Sequence, residues 1–333
     1  MNSILSISNI SKIYKKNNVK ALTDITFQCE KGSILSILGR SGSGKSTLLR
    51  LIAGLESSDS GQIILNDKIL NSNLKFVQPE NRDIDIVFQD FSLFPNMTVK
   101  ENIFFGKKAD SNKEMLQDLI KITHIKDILN RYPHEISGGQ AQRVAIVRSL
   151  GNNPSILLMD EPLSQLDNNL KEDIRNELMI IFEKFEITVL IATHDIEDAL
   201  YMSDKTIILN KGKLQQFDNL VNIYKYPNSE YSALLFGNSN IIPRDYIPSV
   251  KHHFYKNSIN KEVISIRPEQ FIINTDRVND NTISIDCEIK DIIEMGFKYI
   301  IKMIHKDLIL TAEINNDILI KIGDIKTFYI LMD

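Results

Sequence analysis

The chain has 333 residues, of which 43% are hydrophobic and 25% are charged. These fractions are ordinary for a globular protein, and the length suffices for two domains that each have a core. The formal net charge of −4 provides no overall positive field, which argues against binding to nucleic acid or to anionic lipid. Any contact with a membrane is therefore expected to run through a protein partner.

The sequence shows no signal of export or of membrane insertion. Residues 1–9 lack the basic start and the continuous apolar stretch of a signal peptide, and no run of about 18 apolar residues occurs. Two cysteines, Cys29 and Cys287, are too few for a disulfide framework. We expect both to be buried thiols in a reducing cytosol.

Short apolar runs alternate with helical patterns as far as about residue 235. The runs at 33–38, 155–159 and 187–192 predict buried strands of a mostly parallel α/β sheet, because each is followed by a loop or a helix signal. Apolar residues at helical spacing over 113–130 predict helices of a separate lobe, spanning about 90–155.

The pattern changes after about residue 237. Strict alternation of isoleucine or cysteine with polar residues over 283–290 predicts a strand with one buried face, and Ile318, Ile320 and Ile322 predict another. Residues 238–333 are therefore expected to form a small β-barrel domain that follows the α/β domain at 1–237.

The first motif that carries chemistry is a glycine-rich loop between an apolar strand and the start of a helix. It consists of Gly39, Arg40, Ser41, Gly42, Ser43, Gly44, Lys45, Ser46 and Thr47. Glycines allow a tight turn that presents N–H groups to phosphate oxygens at a helix N-terminus. Lys45 is expected to neutralise the β- and γ-phosphates, and the Ser46 hydroxyl to bind Mg²⁺.

The second motif is a pair of acids, Asp160 and Glu161, at the end of the apolar run 156–159. This position places both carboxylates at the carboxyl edge of the sheet, where ligands bind in open α/β folds. Asp160 is expected to hold Mg²⁺ through water, and Glu161 to act as the general base that polarises the attacking water. Together, the two motifs predict a phosphate-loop NTPase.

The third motif is another glycine-bearing turn at a helix start, formed by Ser137, Gly138, Gly139 and Gln140. It is a second potential anion-binding helix N-terminus. Because one nucleotide needs only one phosphate loop, this turn is expected to cover a nucleotide that is held by another copy of the chain.

The order of these motifs resembles the ATP-binding subunits of ABC transporters over about residues 3–235. The resemblance implies roles for four further residues. Tyr14 would stack on adenine, and Gln89 would bind Mg²⁺ and sense the γ-phosphate. Asp167 would belong to the dimer-interface loop, and His194 would be the switch histidine that helps to position water. Gln165 departs from the alanine that is common in that loop.

The resemblance also implies cofactors, partners and location. ATP and Mg²⁺ would lie between two head-to-tail subunits, with the turn 137–140 of one subunit facing the γ-phosphate on the other. The dimer would sit peripherally on the cytoplasmic face of the inner membrane. A groove near Gln89 to Val99, with Phe91, Leu93 and Phe94, would receive a helix of the permease. An extracytoplasmic solute-binding protein would take part indirectly, and nucleic acid would not.

The C-terminal segment is similar to the TOBE-like, OB-like regulatory barrel of some importer ATPases. The segments Arg267–Phe271 and Arg131–Glu135 are most similar to those of ferric-ion importers, so iron import is the first expectation. Polyamine, sulfate or molybdate, and sugar importers share nearly all of these motifs and stay open as alternatives.

Two other classes are weighed against a transporter motor. A soluble ABC-type ATPase of DNA repair would carry a long coiled coil where residues 90–136 stand here, and a translation-type member would carry two cassettes. A regulatory subunit that binds nucleotide without pumping is a third possibility. ATPase activity that is sensitive to vanadate and is raised by membrane subunits would distinguish a motor from such a regulator.

Overall fold

A computed structural model describes residues 3–106, 111–247, 253–273, 282–316 and 318–332. The chain divides into two compact units, Met1–Leu220 and Val221–Asp333. The predicted domain boundary at 237 stays a prediction. Each unit is described by itself.

The described part of the first unit contains two sheets and six α-helices. Its strands are β1 (Ser3–Tyr14), β2 (Val19–Glu30), β3 (Ile34–Leu38), β4 (Ser60–Leu65), β5 (Lys68–Ser72), β6 (Lys75–Phe76), β7 (Ile84–Val87), β8 (Ile156–Asp160), β9 (Val189–Thr193), β10 (Lys205–Asn210) and β11 (Lys213–Asp218). Its helices are α1 (Lys45–Ala53), α2 (Val99–Ile103), α3 (Lys113–Ile122), α4 (Gly138–Leu150), α5 (Asn168–Lys184) and α6 (Ile196–Met202).

The central sheet has the strand order β11-β10-β3-β9-β8-β7. Strands β10, β3, β9, β8 and β7 run parallel, and β11 pairs antiparallel at one edge. The strands predicted at 33–38, 155–159 and 187–192 are confirmed as β3, β8 and β9. All five residues of β3 and of β9 are buried, as expected for strands that are covered on both faces.

Each face of this sheet packs against a different layer. On one face, the apolar side of α1 shares a core with the antiparallel sheet β2-β1-β4-β5-β6. On the other face, α2 to α5 form a second core, which includes the buried Leu116, Leu119 and Ile120 of α3. The helix predicted from apolar spacing in 113–130 is therefore confirmed, and it ends at Ile122.

The second unit is β-rich. Its elements are α7 (Leu220–Lys225), α8 (Glu230–Leu235), β12 (Asn240–Pro243), β13 (Tyr255–Lys256), β14 (Glu262–Ile266), β15 (Phe271–Ile272), β16 (Ile283–Glu294), β17 (Lys298–His305), β18 (Leu308–Asn315) and β19 (Ile325–Ile330). Strands β15-β19-β16-β17-β18 form an antiparallel sheet whose outer strands approach each other, so it curls into a nearly closed barrel. The α/β phosphate-loop fold with a C-terminal TOBE-like or OB-like barrel is confirmed.

One predicted strand is wrong. Ile318, Ile320 and Ile322 lie before the last strand, which is β19, and not in a strand. A turn prevents the extended conformation: Gly323 is left-handed with φ of 89°, and the Lys321 N–H donates to Asp324 Oδ2 at 3.1 Å. The alternation of isoleucines is therefore no sign of a strand at this point.

Two expectations drawn from composition concern thiols and membranes. Cys29 and Cys287 are buried free thiols, and burial raises the pKa of the Cys287 thiol to about 12. Among the described helices, none combines the length and the apolar character that a membrane span needs.

Candidate ATP-binding site

Four parallel strands end beside one another at the edge that carries the predicted chemistry. β3 ends directly before Gly39, β7 ends two residues before Gln89, β8 ends at Asp160, and β9 ends directly before His194. Because parallel strands bring their carboxyl ends to one edge of a sheet, residues that are far apart in sequence meet here. The expected cluster is assembled within a single unit.

The glycine loop at this edge has no room for side chains at two positions. A Cβ on Gly39 would lie 2.3 Å from the Leu209 carbonyl oxygen, and a Cβ on Gly44 would lie 2.7 Å from that of Ala21. Gly44 also has φ of 110° and is the N-cap of α1, so the first turn of this helix has no side-chain cap. Among the residues that the structure describes, the buried Ser43 Oγ finds no hydrogen-bond partner. These features fit a loop that is shaped around an anion.

Lys45 is the buried cation of the site, with 4% of its side chain exposed. Its Nζ donates to the Gly39 carbonyl at 3.0 Å and lies 3.2 Å from Glu161 Oε1. The ammonium group is thus fixed between the loop and the predicted general base.

The two residues that are predicted to hold Mg²⁺, Ser46 and Asp160, lie next to each other beside the loop. Ser46 Oγ donates to Asp160 Oδ1 at 3.0 Å. Burial raises the pKa of the Asp160 carboxyl; the hydrogen bond from Ser46 opposes this rise, and neighbouring Glu161 adds to it. An open cavity of about 520 Å³ is lined by these two residues together with Gln89 and the exposed Gln165. Hydroxyl, carboxylate and amide oxygens are ligands that Mg²⁺ accepts, so the residues fit this ion.

Glu161 joins the loop to His194, the predicted switch histidine. Its Oε2 lies 3.1 Å from His194 Nδ1, while its Oε1 contacts Lys45. Glu161 has φ of 49°, a left-handed backbone conformation that is uncommon for this residue type and that occurs preferentially at functional sites. The predicted base, cation and histidine therefore form one connected group.

A cavity of about 660 Å³ opens above the phosphate loop. Its lining includes the loop residues Ser41 to Thr47 together with Tyr14, Gln89 and Glu161. At the tip of the loop, Arg40, Ser41 and Gly42 are exposed. The volume lies within the range of ligand pockets.

Tyr14 is held at the rim of this cavity through its hydroxyl group. The hydroxyl donates to Glu56 Oε2 at 2.7 Å and lies 3.3 Å from Thr47 Oγ1. The half-buried ring lines the cavity, and its stacking on adenine stays a prediction.

The turn Ser137–Gln140 is not part of this cavity among the residues that the structure describes. Ser137 caps α4: its Oγ accepts from the Gln140 N–H at 3.3 Å, and the Ser137 N–H donates to Gln140 Oε1 at 3.0 Å. Gly138 is exposed, and a Cβ placed there would meet nothing within 4 Å. Gly139 is buried against Leu170. The turn is preorganised but has an open face.

Asp167 occupies a comparable position at the start of α5. Its side chain caps this helix and accepts from the Leu170 N–H at 3.0 Å. The exposed loop before it begins with Ser164, whose hydroxyl accepts from Gln89 Nε2 at 3.3 Å. The predicted interface loop is therefore linked to Gln89 in the same chain.

Several residues of the site could not be found from a sequence motif. Glu56 fixes Tyr14, and Lys211 and the segment Val19–Ala21 line the cavity. None of them belongs to a motif, because their role depends on how segments that are distant in sequence pack beside the loop.

Comparisons with known proteins agree with this geometry. The family profile described as ABC transporter matches residues 22–164. A sulfate/thiosulfate import ATP-binding protein of Synechocystis is 34% identical over 90% of this chain and 84% of its own length. The chain belongs to the ATP-binding subunits of ABC transporters. It is therefore an ABC-type ATPase, and ATP is its nucleotide.

Further relatives extend this result. A spermidine/putrescine import ATP-binding protein of Bacillus cereus is 38% identical over 73% of this chain and 74% of its own length. A dimeric ATP-binding cassette solved with ADP and phosphate has a TM-score of 0.57 and 31% identity, covering 65% of this chain and 98% of its own. Part of an ABC transporter complex from Clostridium perfringens has a TM-score of 0.59 and 30% identity, covering 66% of this chain and 89% of its own.

Proposed function

We propose that this ATPase drives import of a small solute, working as a head-to-tail homodimer on membrane permease subunits. The observation that carries the proposal is the similarity to an import ATP-binding protein over 90% of the chain, barrel included. The proposed partners and the peripheral position at the cytoplasmic face of the membrane follow from this function.

Each chain would hold one ATP on the phosphate loop. Lys45 would neutralise the β- and γ-phosphates, and the loop N–H groups and α1 would bind them. Ser46 and Gln89 would hold Mg²⁺ directly, and Asp160 would hold it through water. The ion would neutralise charge on the phosphate oxygens.

Hydrolysis would then depend on Glu161 and His194. Glu161 would orient and deprotonate the attacking water, and His194 would contact the γ-phosphate. Since Lys45 and His194 both contact Glu161, a γ-phosphate that engaged both would free the carboxylate for its role as base. The open face of Ser137–Gln140 would cover the γ-phosphate on the partner, with Asp167 at the interface.

A surface near Gln89 would transmit this cycle to the permease. Phe91 and Leu93 pack against the helical core, whereas Phe94 is 38% exposed and its ring centroid lies 4.5 Å from that of Phe105. An adjoining cavity of about 400 Å³ is lined by Phe105 and Leu55, which are also exposed. Apolar grooves of this kind accept amphipathic helices.

The cargo proposed first from the sequence was ferric iron, and the comparisons favour the alternatives. The relatives named above import sulfate or thiosulfate and spermidine or putrescine. We therefore infer that the cargo is a sulfate-type oxyanion or a polyamine. The TOBE-like barrel would have a regulatory role.

The test is to reconstitute the chain with its permease and solute-binding protein in liposomes. ATP hydrolysis is expected to rise with the permease, to be blocked by vanadate, and to drive uptake of radiolabelled sulfate or putrescine, whereas ferric iron is not taken up. Phe105→Ala should lose stimulation by the permease and keep basal hydrolysis. Uptake of none of these solutes, with hydrolysis unaffected by the permease, would contradict the proposal.

A further inference from the structure

Helix α5 contacts the start of α6 through two basic side chains that lie one turn apart. Lys171 Nζ lies 3.0 Å from Asp195 Oδ2, and Arg175 Nε donates to Asp198 Oδ1 at 2.7 Å. Arg175 also donates from Nη2 to Glu197 Oε2 at 3.4 Å. Spacing of four residues puts both basic groups on one face of α5.

These ion pairs hold both neighbours of His194. Asp198 Oδ2 accepts from Thr193 Oγ1 at 3.3 Å, and Thr193 Oγ1 in turn accepts from the Asp195 N–H at 3.0 Å. Thr193 and Asp195 directly precede and follow His194. The backbone on each side of the histidine is thus tied to α5, while the imidazole itself is exposed and reaches Glu161.

The other contacts of α5 lead to the turn Ser137–Gln140 and its helix α4. Leu170 packs against Gly139 at the start of α4. Nearer the C-terminus of α5, Glu177 accepts two hydrogen bonds from Arg143 of α4. Arg143 Nε donates to Glu177 Oε2 and Arg143 Nη2 donates to Glu177 Oε1, each at 2.7 Å. A paired, planar contact of this kind fixes orientation as well as distance.

We propose that α5 is a strut that links the turn Ser137–Gln140 to His194, and that Lys171, Arg175 and Asp198 are positioning residues for hydrolysis. In the proposed dimer, that turn serves the ATP of the partner and His194 serves the chain's own ATP. The strut therefore connects the two nucleotide sites. This inference rests on the proposed role of His194.

Burial of the Arg175–Asp198 pair supports a positioning role. The two residues are 7% and 4% exposed, and such a pair contributes little net stability because desolvation offsets the attraction. The buried pair therefore has a fixed geometry. By contrast, the pair that Lys184 of the same helix forms with Asp118, with 2.7 Å between Nζ and Oδ2, is exposed.

The experiment measures ATP hydrolysis by the full chain with near-isosteric variants. Thr193→Val, Asp198→Asn and Lys171→Met each remove one link, and Lys184→Met is the matched control on α5. We expect kcat to fall by about ten- to a hundredfold for the first three, because a small misplacement of a catalytic group costs this much. The KM for ATP and the melting temperature of Thr193→Val and Lys171→Met should stay close to those of the control.

Two further measurements separate positioning from simple destabilisation. The histidine side-chain NMR signal assigned to His194, by its loss in His194→Ala, should move in Thr193→Val and Lys171→Met but not in Lys184→Met. Lys171→Arg, which keeps the charge, should recover most of the kcat that Lys171→Met loses.

The outcomes can be told apart. If His194→Ala is inactive while Thr193→Val, Asp198→Asn and Lys171→Met match the control, the strut is wrong and the role of His194 stands. If His194→Ala keeps normal turnover, the proposed role of His194 is wrong and the inference falls with it. A loss of activity that only follows the loss of folded protein, with no movement of the His194 signal, would also overturn the inference.

Discussion

The phosphate loop and the turn Ser137–Gln140 are both glycine-bearing helix starts, but they differ in how much of a site surrounds them. A Cβ on Gly39 would meet backbone at 2.3 Å, whereas a Cβ on Gly138 would meet nothing within 4 Å. Lys45 and the acids Asp160 and Glu161 lie at the phosphate loop. At the other turn, the Ser137 hydroxyl caps its own helix and the outward face is open.

This difference supports the proposal that one chain contains a whole nucleotide site at the phosphate loop and half of a second site at the turn Ser137–Gln140. A helix N-terminus alone binds an anion weakly, and a neighbouring cation and Mg²⁺ ligands make it specific for a nucleotide. We therefore propose that the exposed turn completes a site on another copy. The following predictions test this contrast, in order of decreasing expected effect.

Replacing the proposed base should have the largest effect on turnover. Glu161→Gln keeps the shape of the side chain but removes the base, so kcat is expected to fall by about a thousandfold. ATP should bind at least as tightly, because Lys45 would no longer be paired with a carboxylate. Single-turnover hydrolysis and equilibrium binding of ATP measure the two effects; near-normal kcat would rule out Glu161 as the base.

Loss of Arg82 should destabilise the phosphate-loop helix. This buried side chain donates to the carbonyls of Leu51 and Ile52 at the end of α1, and to those of Val77 and Leu70. Burial lowers the pKa of its guanidinium to about 10.

Arg82→Met would remove all four of these hydrogen bonds, so the free energy of unfolding should fall by about 3 kcal/mol. Urea unfolding measures it, with Arg244→Met, which breaks an exposed ion pair with Glu262, as the control. Equal stability of the two variants would show that the end of α1 needs no such anchor.

Tyr14 should have the smallest effect. Tyr14→Leu removes a ring at the cavity rim, and the loss of stacking is expected to raise the Kd for ATP by about five- to tenfold. Tyr14→Phe keeps the ring and should bind ATP nearly as tightly as the unaltered chain. Equal weakening in both variants would assign the effect to the Glu56 hydrogen bond instead.

The sequence predicted the parts of the fold and site that are local in the chain. The apolar runs identified β3, β8 and β9, and the motifs placed Asp160 and Glu161 at a strand end and Lys45 at the start of a helix. It could not predict the contacts of Arg82 or Arg175, because these depend on how helices pack against distant segments. The strand expected at 318–322 failed because a left-handed glycine at 323 turns the chain there.

The central claim, that the turn Ser137–Gln140 completes the ATP site of a partner, is tested most directly by retention of ATP in a Glu161→Gln background. Radiolabelled ATP would be added, and free nucleotide removed by rapid gel filtration. About one ATP per chain should stay bound, since each site would be closed by the other copy.

The same measurement on the double variant Glu161→Gln/Gly138→Asp tests whether the turn Ser137–Gln140 is needed to retain ATP. An acidic residue in the first turn of a helix is favourable, so Gly138→Asp should leave α4 and the melting temperature unaffected. The new carboxylate would, however, repel the γ-phosphate of an ATP bound to the partner. The claim predicts that retained ATP falls to near zero while reversible ATP binding to the chain's own loop persists. Undiminished retention in this double variant would contradict it.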